Sequence, residues 1–193
     1  MGLLYSGAKS GLTAHMYTDS SFADCPYTRK SHSGFVTIMA GAAVSHSSKK
    51  QGLVTTSLTE AEYVGMGHAA KEGVWITWML SDLGVPLREP ITIFADNQSS
   101  MLLSDSEKLS SRTKHVDVQY HFVREYVTQG KCRFEWVPMK LNTADVLTKP
   151  LGPIAFKEMP AMLGLPWKPR AYTPQPESET SDESSNDSSG SVE

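Results

Sequence analysis

Four carboxylates carry the chemistry legible in this sequence. In FADNQSS (Phe94 to Ser100) the apolar run ITIFA stops at Asp96 and hands over to small polar residues. MYTDSS (Met16 to Ser21) does the same at Asp19. Strand C-termini form the edge of an α/β sheet where ligands collect, so two parallel neighbouring strands would bring both acids to one rim. Each Asp could instead cap a turn or helix, its oxygen bonded to nearby amides. SLTEAEYVGM adds two glutamates that helical geometry separates. Glu60 lies three residues after Ser57, the spacing of a capping box. Glu62 shares a stripe with Met66, Ala69 and Gly73, and an inward carboxylate is costly unless a charge or metal compensates it. Thr59 and Glu62 have the capping spacing too, so a structural role stays open. Asp145, in NTADVLTKPL, falls in the first turn of a short helix after an Asn cap, an ordinary place for an acid because it meets the positive end of the helix dipole. Four converging carboxylates would repel unless cations sat between them, and hard oxygen ligands select Mg²⁺ or Mn²⁺. A pair of such ions can activate a water and stabilise the departing oxygen of a phosphodiester. That is nuclease chemistry.

The surrounding patterns predict what must position these acids. Residues 12–18 alternate as a strand, and GFVTIM with AAVSHS form a hairpin around Ala40-Gly41. SLTEAEYVGMGHAAKEGVWITWMLSDLG predicts one long helix from the Ser57 cap to Gly84, with Pro86 just beyond. Met66, Ala69, Gly73, Ile76, Leu80 and Leu83 make its apolar stripe. Gly65, Gly67 and Gly73 lower its propensity, so either packing overrides that or a backbone approaches closely. ITIFA is a buried strand. A helix starts near Asn97, another covers roughly 113–128 up to Gly130, CRFEWVP is the last strand, and a short helix runs from near Asn142 to before Pro150. This is an α/β order: a mixed five-stranded sheet with helices packed on it. Trp75, Trp78 and Trp136 lie in apolar patterns and read as core.

Bulk properties narrow the class. The 193 residues suffice for one domain with a real core. No apolar run is long enough to cross a bilayer, and no signal-peptide pattern opens the chain. Cys25 and Cys132 show no metal-ligand spacing, so a disulfide scaffold and a zinc finger are both poor readings and a reducing compartment is expected. Six of the 21 acids fall from Ala171 onward, where there is no Lys or Arg. That stretch cannot bury enough surface to offset its ordering entropy and reads as a disordered acidic Ser-rich tail. The remaining 15 acids face 18 bases, a mildly basic body compatible with a nucleic-acid partner.

Candidate contacts to such a partner surround the acids. Ser20 adjoins Asp19. Ser47, Ser48, Lys49, Lys50 and Gln51 precede the long helix, and their hydroxyls and ammonium groups suit phosphate, though a solvated loop is an equal reading. Asn97 and Gln98 follow Asp96 at a helix start, where amides meet a sugar hydroxyl or phosphate, or merely cap. RTKHVDVQYHFVRE offers Arg112, Lys114, His115, His121 and Arg124 as a basic face, with a salt-bridged surface helix involving Asp117 and Glu125 the favoured alternative. His115 and His121 are six apart, which rejects a helical metal pair.

YTDSSFADCPYTRKSHSGFV, SSKKQGLVTTSLTEAEYVGM, FADNQSS, RTKHVDVQYHFVRE and NTADVLTKPL together resemble the RNase H domain of copia-type LTR retrotransposon Pol polyproteins, from about Gly11 to Leu151. GLLYSGAKSG resembles the segment joining reverse transcriptase to RNase H. The resemblance implies an RNase H-like fold with helices on both sheet faces, and hydrolysis of the RNA strand of RNA–DNA hybrids. It places the family's Asp-Glu-Asp-Asp set on Asp19, Glu62, Asp96 and Asp145, holding two Mg²⁺ ions, or Mn²⁺. It also implies a reverse transcriptase portion of a parent polyprotein as partner, no membrane, and an intracellular setting in cytoplasm, virus-like particle or nucleus. The expected organisation is a connection remnant (1–11), the RNase H-like domain (12–151), a C-terminal extension (152–170) and the tail (171–193). One departure stands out. Cellular RNases H place a histidine before the last aspartate, whereas VPMKLNTA has none and offers only Lys140. No Tyr-x-Asp-Asp polymerase motif or integrase-type His/Cys pattern is present, so the chain reads as the last module of a longer polyprotein or its remnant. A non-catalytic nucleic-acid-binding remnant is the alternative; an integrase-like transferase is weaker, because NTADVLTKPL argues against it.

Overall fold

A computed structural model describes residues 2–6, 12–105 and 114–165; the side chains of 102–105 and 114–120 lie outside that description. β1 (Ala14–Ser20) pairs antiparallel with β2 (His32–Met39), and β2 with β3 (Ala42–Lys50). The expected hairpin is present, and Ala40 (φ 53°) and Gly41 (φ 85°) make its two-residue turn, the conformation whose twist matches that of the strands. β4 (Ile91–Ala95) lies parallel to β1, and β5 (Cys132–Trp136) parallel to β4, giving the order β3-β2-β1-β4-β5. Tyr17 is in register with Phe94. Asp19 and Asp96 each lie two residues further on, so the parallel pairing brings both to one edge.

The long helix, α1 (Leu58–Asp82), starts where its cap predicts, with Ser57 Oγ accepting from the Glu60 amide at 3.1 Å. The Glu60 carboxylate accepts from the amide (2.6 Å) and hydroxyl (2.8 Å) of Thr56, so its role is structural. At the other end Gly84 turns left-handed (φ 75°), and the Val85 amide returns to the Leu80 carbonyl at 2.9 Å. Gly130 (φ 66°) ends α3 (Lys114–Thr128) in the same way, Lys131 donating to Tyr126 O at 2.9 Å. α2 (Gln98–Asp105) lies between β4 and α3. Met16, Tyr63, Met66, Ile91, Ile93 and Val123 form the core between α1, α3 and the sheet. Close approach answers the glycine question: a Cβ on Gly65 would collide with Ser20 Oγ, and one on Gly73 would come within 2.9 Å of Ile91.

Alternate strand residues face opposite sides of a sheet. α1 lies over Ser20, whereas Gly34, paired with Asp19, faces Leu147 and Thr148. The turn containing Leu147 therefore lies on the second face, and α4 (Pro153–Met162) packs against it. Helical structure thus lies on both faces, although the second stays open around His15, Tyr17 and Phe94.

Three expectations need correction. The short helix after Asn142 is a 3-10 turn, Thr143–Leu147, preceded by another at Met139–Leu141. Within the stretch expected as a C-terminal extension lies the helix α4, and Pro153 suits its first turn. Trp75, Trp78 and Trp136 are not core but about half exposed, at 54%, 52% and 49%. In α1 the buried stripe runs through Met66, Ala69, Gly73, Ile76 and Leu80, and the apolar pattern was wider than that stripe. Leu83, also assigned to it, is exposed, while Lys131 sits 5.4 Å over the Trp78 ring.

Both ends of the described chain meet the hairpin at the start of β3. Ala43 N donates to Leu163 O (3.1 Å), Leu4 N to Gly164 O (2.9 Å) and Ser6 N to Ala40 O (2.8 Å). The Ala43 bond occupies the start of the edge strand. Cys25 and Cys132 are free thiols. Among the described residues no helix is long and apolar enough to cross a membrane.

Candidate active site

Asp19 is the penultimate residue of β1 with no exposed surface, Asp96 follows β4, and Asp145 sits buried in the 3-10 turn. One oxygen from each lies within 4.8 Å of the others. Asn142 brings the third acid in. Its Oδ1 accepts from the Ala144 amide (3.1 Å), capping the turn, and its Nδ2 donates to Thr18 O (3.0 Å), fastening the turn beside Asp19. The cap is legible in the sequence, whereas this second bond depends on a strand 124 residues away.

Glu62 is buried on α1, outside that three-oxygen group but within its field. Burial first, then the charges of Asp19 and Asp96, push its pKa up to about 9 against the pull of Lys149. Burial and Asp19 likewise raise Asp145 to about 6, and Asp96 shifts upward for the same two reasons. A site that penalises its own negative charge in this way is poised for cations.

Lys149 was not singled out from the sequence. Its Nζ stands 3.1 Å from Asp19 Oδ1 and 3.2 Å from Asp145 Oδ1. Burial works against this ammonium, but Asp19 and Asp145 outweigh it and leave its pKa raised. The Thr148 hydroxyl donates to the other Asp19 oxygen. The i, i+4 spacing of Asp145 and Lys149 was the available signal. Hard oxygen donors from separate elements, balanced by the Lys149 ammonium, fit divalent metal use.

A groove of about 620 Å³ opens onto Glu62 and Asp96, with Asn97, Gln98, Trp136 and Lys149 also on its walls. Asn97 caps α2 through the Ser100 amide (3.1 Å) and still faces the groove beside exposed Gln98. The Trp136 indole donates to Asp96 O at 3.2 Å. Lys49 and Lys50 are exposed at the end of β3, Lys50 lying 3.2 Å from Cys25 Sγ. Ser48 instead donates to Leu147 O (2.6 Å), tying β3 to the 3-10 turn. Ser20 does not offer a free hydroxyl, because it is buried under α1 and donates to Ser33 Oγ at 3.2 Å. Gln51 is also buried rather than a phosphate contact. Lys140 is exposed and borders, with Asp145, a separate apolar cavity. Arg112 lies outside the described residues, as do the side chains of Lys114 and His115 at the start of α3.

The strand order, the helices on both faces and the acids at one edge define an RNase H fold. The N-terminal RNase H domain of rv2228c from Mycobacterium tuberculosis superposes with a TM-score of 0.51 at 18% identity, over 79% of this chain and 96% of that one. LC11-RNase H1 in complex with RNA/DNA hybrid gives 0.51 at 14% identity, covering 70% and 94%. No model of a protein family matches the chain. By sequence the chain is homologous to retrotransposon Pol polyproteins. It is 35% identical over 154 residues to the Pol polyprotein of transposon RE2 from Arabidopsis thaliana, spanning 80% of this chain and 11% of that protein. The Pol polyprotein of transposon TNT 1-94 from Nicotiana tabacum is 35% identical over 149 residues (77% and 11%), and the Ty1-DR5 Gag-Pol polyprotein of Saccharomyces cerevisiae 32% over 145 (72% and 8%). The chain spans about a tenth of the length of these relatives.

Proposed function

We propose that this chain is the ribonuclease H module of a retrotransposon Pol polyprotein, a hydrolase that cuts the RNA strand of RNA–DNA hybrids. Asp19, Asp96 and Asp145 would hold the divalent ions, with Glu62 completing the set. The observation that carries this reading is the meeting of three aspartate oxygens from separate elements within 4.8 Å, beside an open groove lined by Asp96 and Glu62. Two Mg²⁺ ions, or Mn²⁺, would supply an activated water and neutralise charge on the phosphodiester. The chain's own residues do the rest. Asp19 anchors the site from the sheet edge, and Asn142 fixes Asp145 beside it. Lys149 balances the acids until substrate and ions arrive. Asn97 and Gln98 present amides suited to a sugar hydroxyl or phosphate, and Lys49 and Lys50 suit backbone phosphates, which position without reading sequence. The hybrid bound to LC11-RNase H1 supports the same substrate class here. The homologous polyproteins support a reverse transcriptase portion of a parent chain as partner, and the module would act in cytoplasm, virus-like particle or nucleus.

The test is cleavage of a labelled hybrid with and without Mg²⁺. Products with 5′-phosphate and 3′-hydroxyl ends are expected, and none from Asp19→Asn. Equal cutting by that variant ends the assignment. Hybrid binding without ion-dependent products would select the inert-remnant reading, which the loop without histidine favours.

The clasp at the β3 edge supports a folded unit in which 152–165 stabilises the body formed by 12–151. A chain ended after Leu151 loses the burial of Met159, worth about 2 kcal/mol. At roughly 2–4 °C per kcal/mol for a domain of this size, calorimetry should show a Tm lower by several degrees.

A further inference from the structure

Behind the acids lies a buried polar network that the metal chemistry does not use. Gln51 directly follows β3 and is 1% exposed. Its Nε2 donates to Ser33 Oγ on β2 (2.7 Å) and to Ala61 O on α1 (2.9 Å). The carbonyl of Ala61 can only accept, which fixes the orientation of the amide. Ser33 Oγ also accepts from Ser20 Oγ on β1 at 3.2 Å. One side chain therefore ties together β2, β1 through the Ser33–Ser20 pair, and α1 through Ala61.

The attachment points matter. Ser20 follows Asp19, and Ala61 precedes Glu62. Gly65, one turn beyond Ala61, rests so close to Ser20 Oγ that no Cβ fits between them. The helix carrying Glu62 thus stands directly on the strand end carrying Asp19. These two acids repel each other, so something must oppose a drift of α1 away from the sheet. Gln51 is placed to do that.

We propose that Gln51 is a positioning residue for the cation site: its amide sets the spacing between Glu62 on α1 and Asp19 on β1. The inference rests on the proposed metal-dependent nuclease. Gln51→Met preserves length and removes both donors. Ile91→Val loosens the core at the far end of β4 and serves as the stability control. Outer-shell partners of metal ligands typically contribute about 10–100-fold in affinity or activity. Calorimetric titration with Mn²⁺ should show Gln51→Met binding about tenfold more weakly, and hybrid cleavage should show kcat falling about 10–100-fold with KM within about twofold. Ile91→Val should change neither. The positioning role is overturned if Gln51→Met binds Mn²⁺ and turns over like the wild type, or if Ile91→Val reproduces both losses. A wild-type protein that neither binds Mn²⁺ nor cuts hybrid overturns the nuclease reading, and this inference with it.

Discussion

Glu62→Gln should abolish hybrid cleavage and, in the absence of metal, make the protein more stable. The two effects have one cause. Glu62 is held where burial and the charges of Asp19 and Asp96 push its pKa from 4.5 to about 9. A carboxyl that binds its proton more tightly folded than unfolded stabilises the fold at low pH. That contribution is present below 4.5 and is lost as the pH rises through this window toward about 9. Asp145 adds a similar loss between 3.8 and about 6. Metal-free wild-type protein should therefore show a Tm that falls as pH is raised, and a divalent ion should reverse the fall. Glutamine fills the same space without charge, so its Tm profile should be flatter and higher near pH 8. A gain of about 1 kcal/mol would appear as roughly 2–4 °C. Activity should move the other way. Outer-shell partners of a metal already contribute about 10–100-fold, so loss of a ligand should lower kcat by at least about 100-fold. Calorimetry from pH 5 to 9, with and without Mg²⁺, checks the first effect, and single-turnover cleavage the second. A variant as active as wild type, or a wild-type Tm that rises with pH without metal, would remove Glu62 from the site.

How much of this was legible in the sequence depends on the range of each interaction. The caps of α1 at Ser57 and Gly84 and the Ala40-Gly41 turn are set by neighbours a few residues away, and the structure has them where the pattern put them. The two acids at strand ends were readable because apolar runs stop at them. Their meeting required only that β1 and β4 be parallel neighbours, which they are. The inward stripe separated Glu62 from Glu60, and the Thr56 bonds of Glu60 bear out its structural role. What stayed hidden was long-range. Asn142 to Thr18, Gln51 to Ala61, and Thr148 to Asp19 leave no periodic trace, since each side chain is polar and each partner lies in another element. Trp75 and Trp78 misled for a related reason. Periodicity marks the centre of a buried stripe well and its margins poorly, and both lie at a margin where a large ring is half covered.

Lys149→Met should tighten divalent-ion binding while weakening the metal-free protein. The ammonium lies 3.1 Å from Asp19 and 3.2 Å from Asp145, so an ion drawn to those carboxylates must displace it. With methionine, the ion meets no rival. The acids would then face one another without a counter-charge, so the unliganded fold loses what the ion gains. The Lys149 side chain is 35% exposed, and solvent screens the pair, which argues for about 1 kcal/mol rather than the several that a dry pair would give. That corresponds to an Mn²⁺ affinity higher by roughly fivefold to tenfold and a Tm without metal lower by roughly 2–4 °C. Lys149→Arg keeps the charge and should stay near wild type in both measurements. Weaker Mn²⁺ binding by Lys149→Met would mean that the ammonium supports the bound ion rather than standing in its place. The stability term separates the two roles further. A stand-in cation predicts that saturating Mg²⁺ brings Lys149→Met back to the Tm of Mg²⁺-saturated wild type, whereas a supporting one leaves it below.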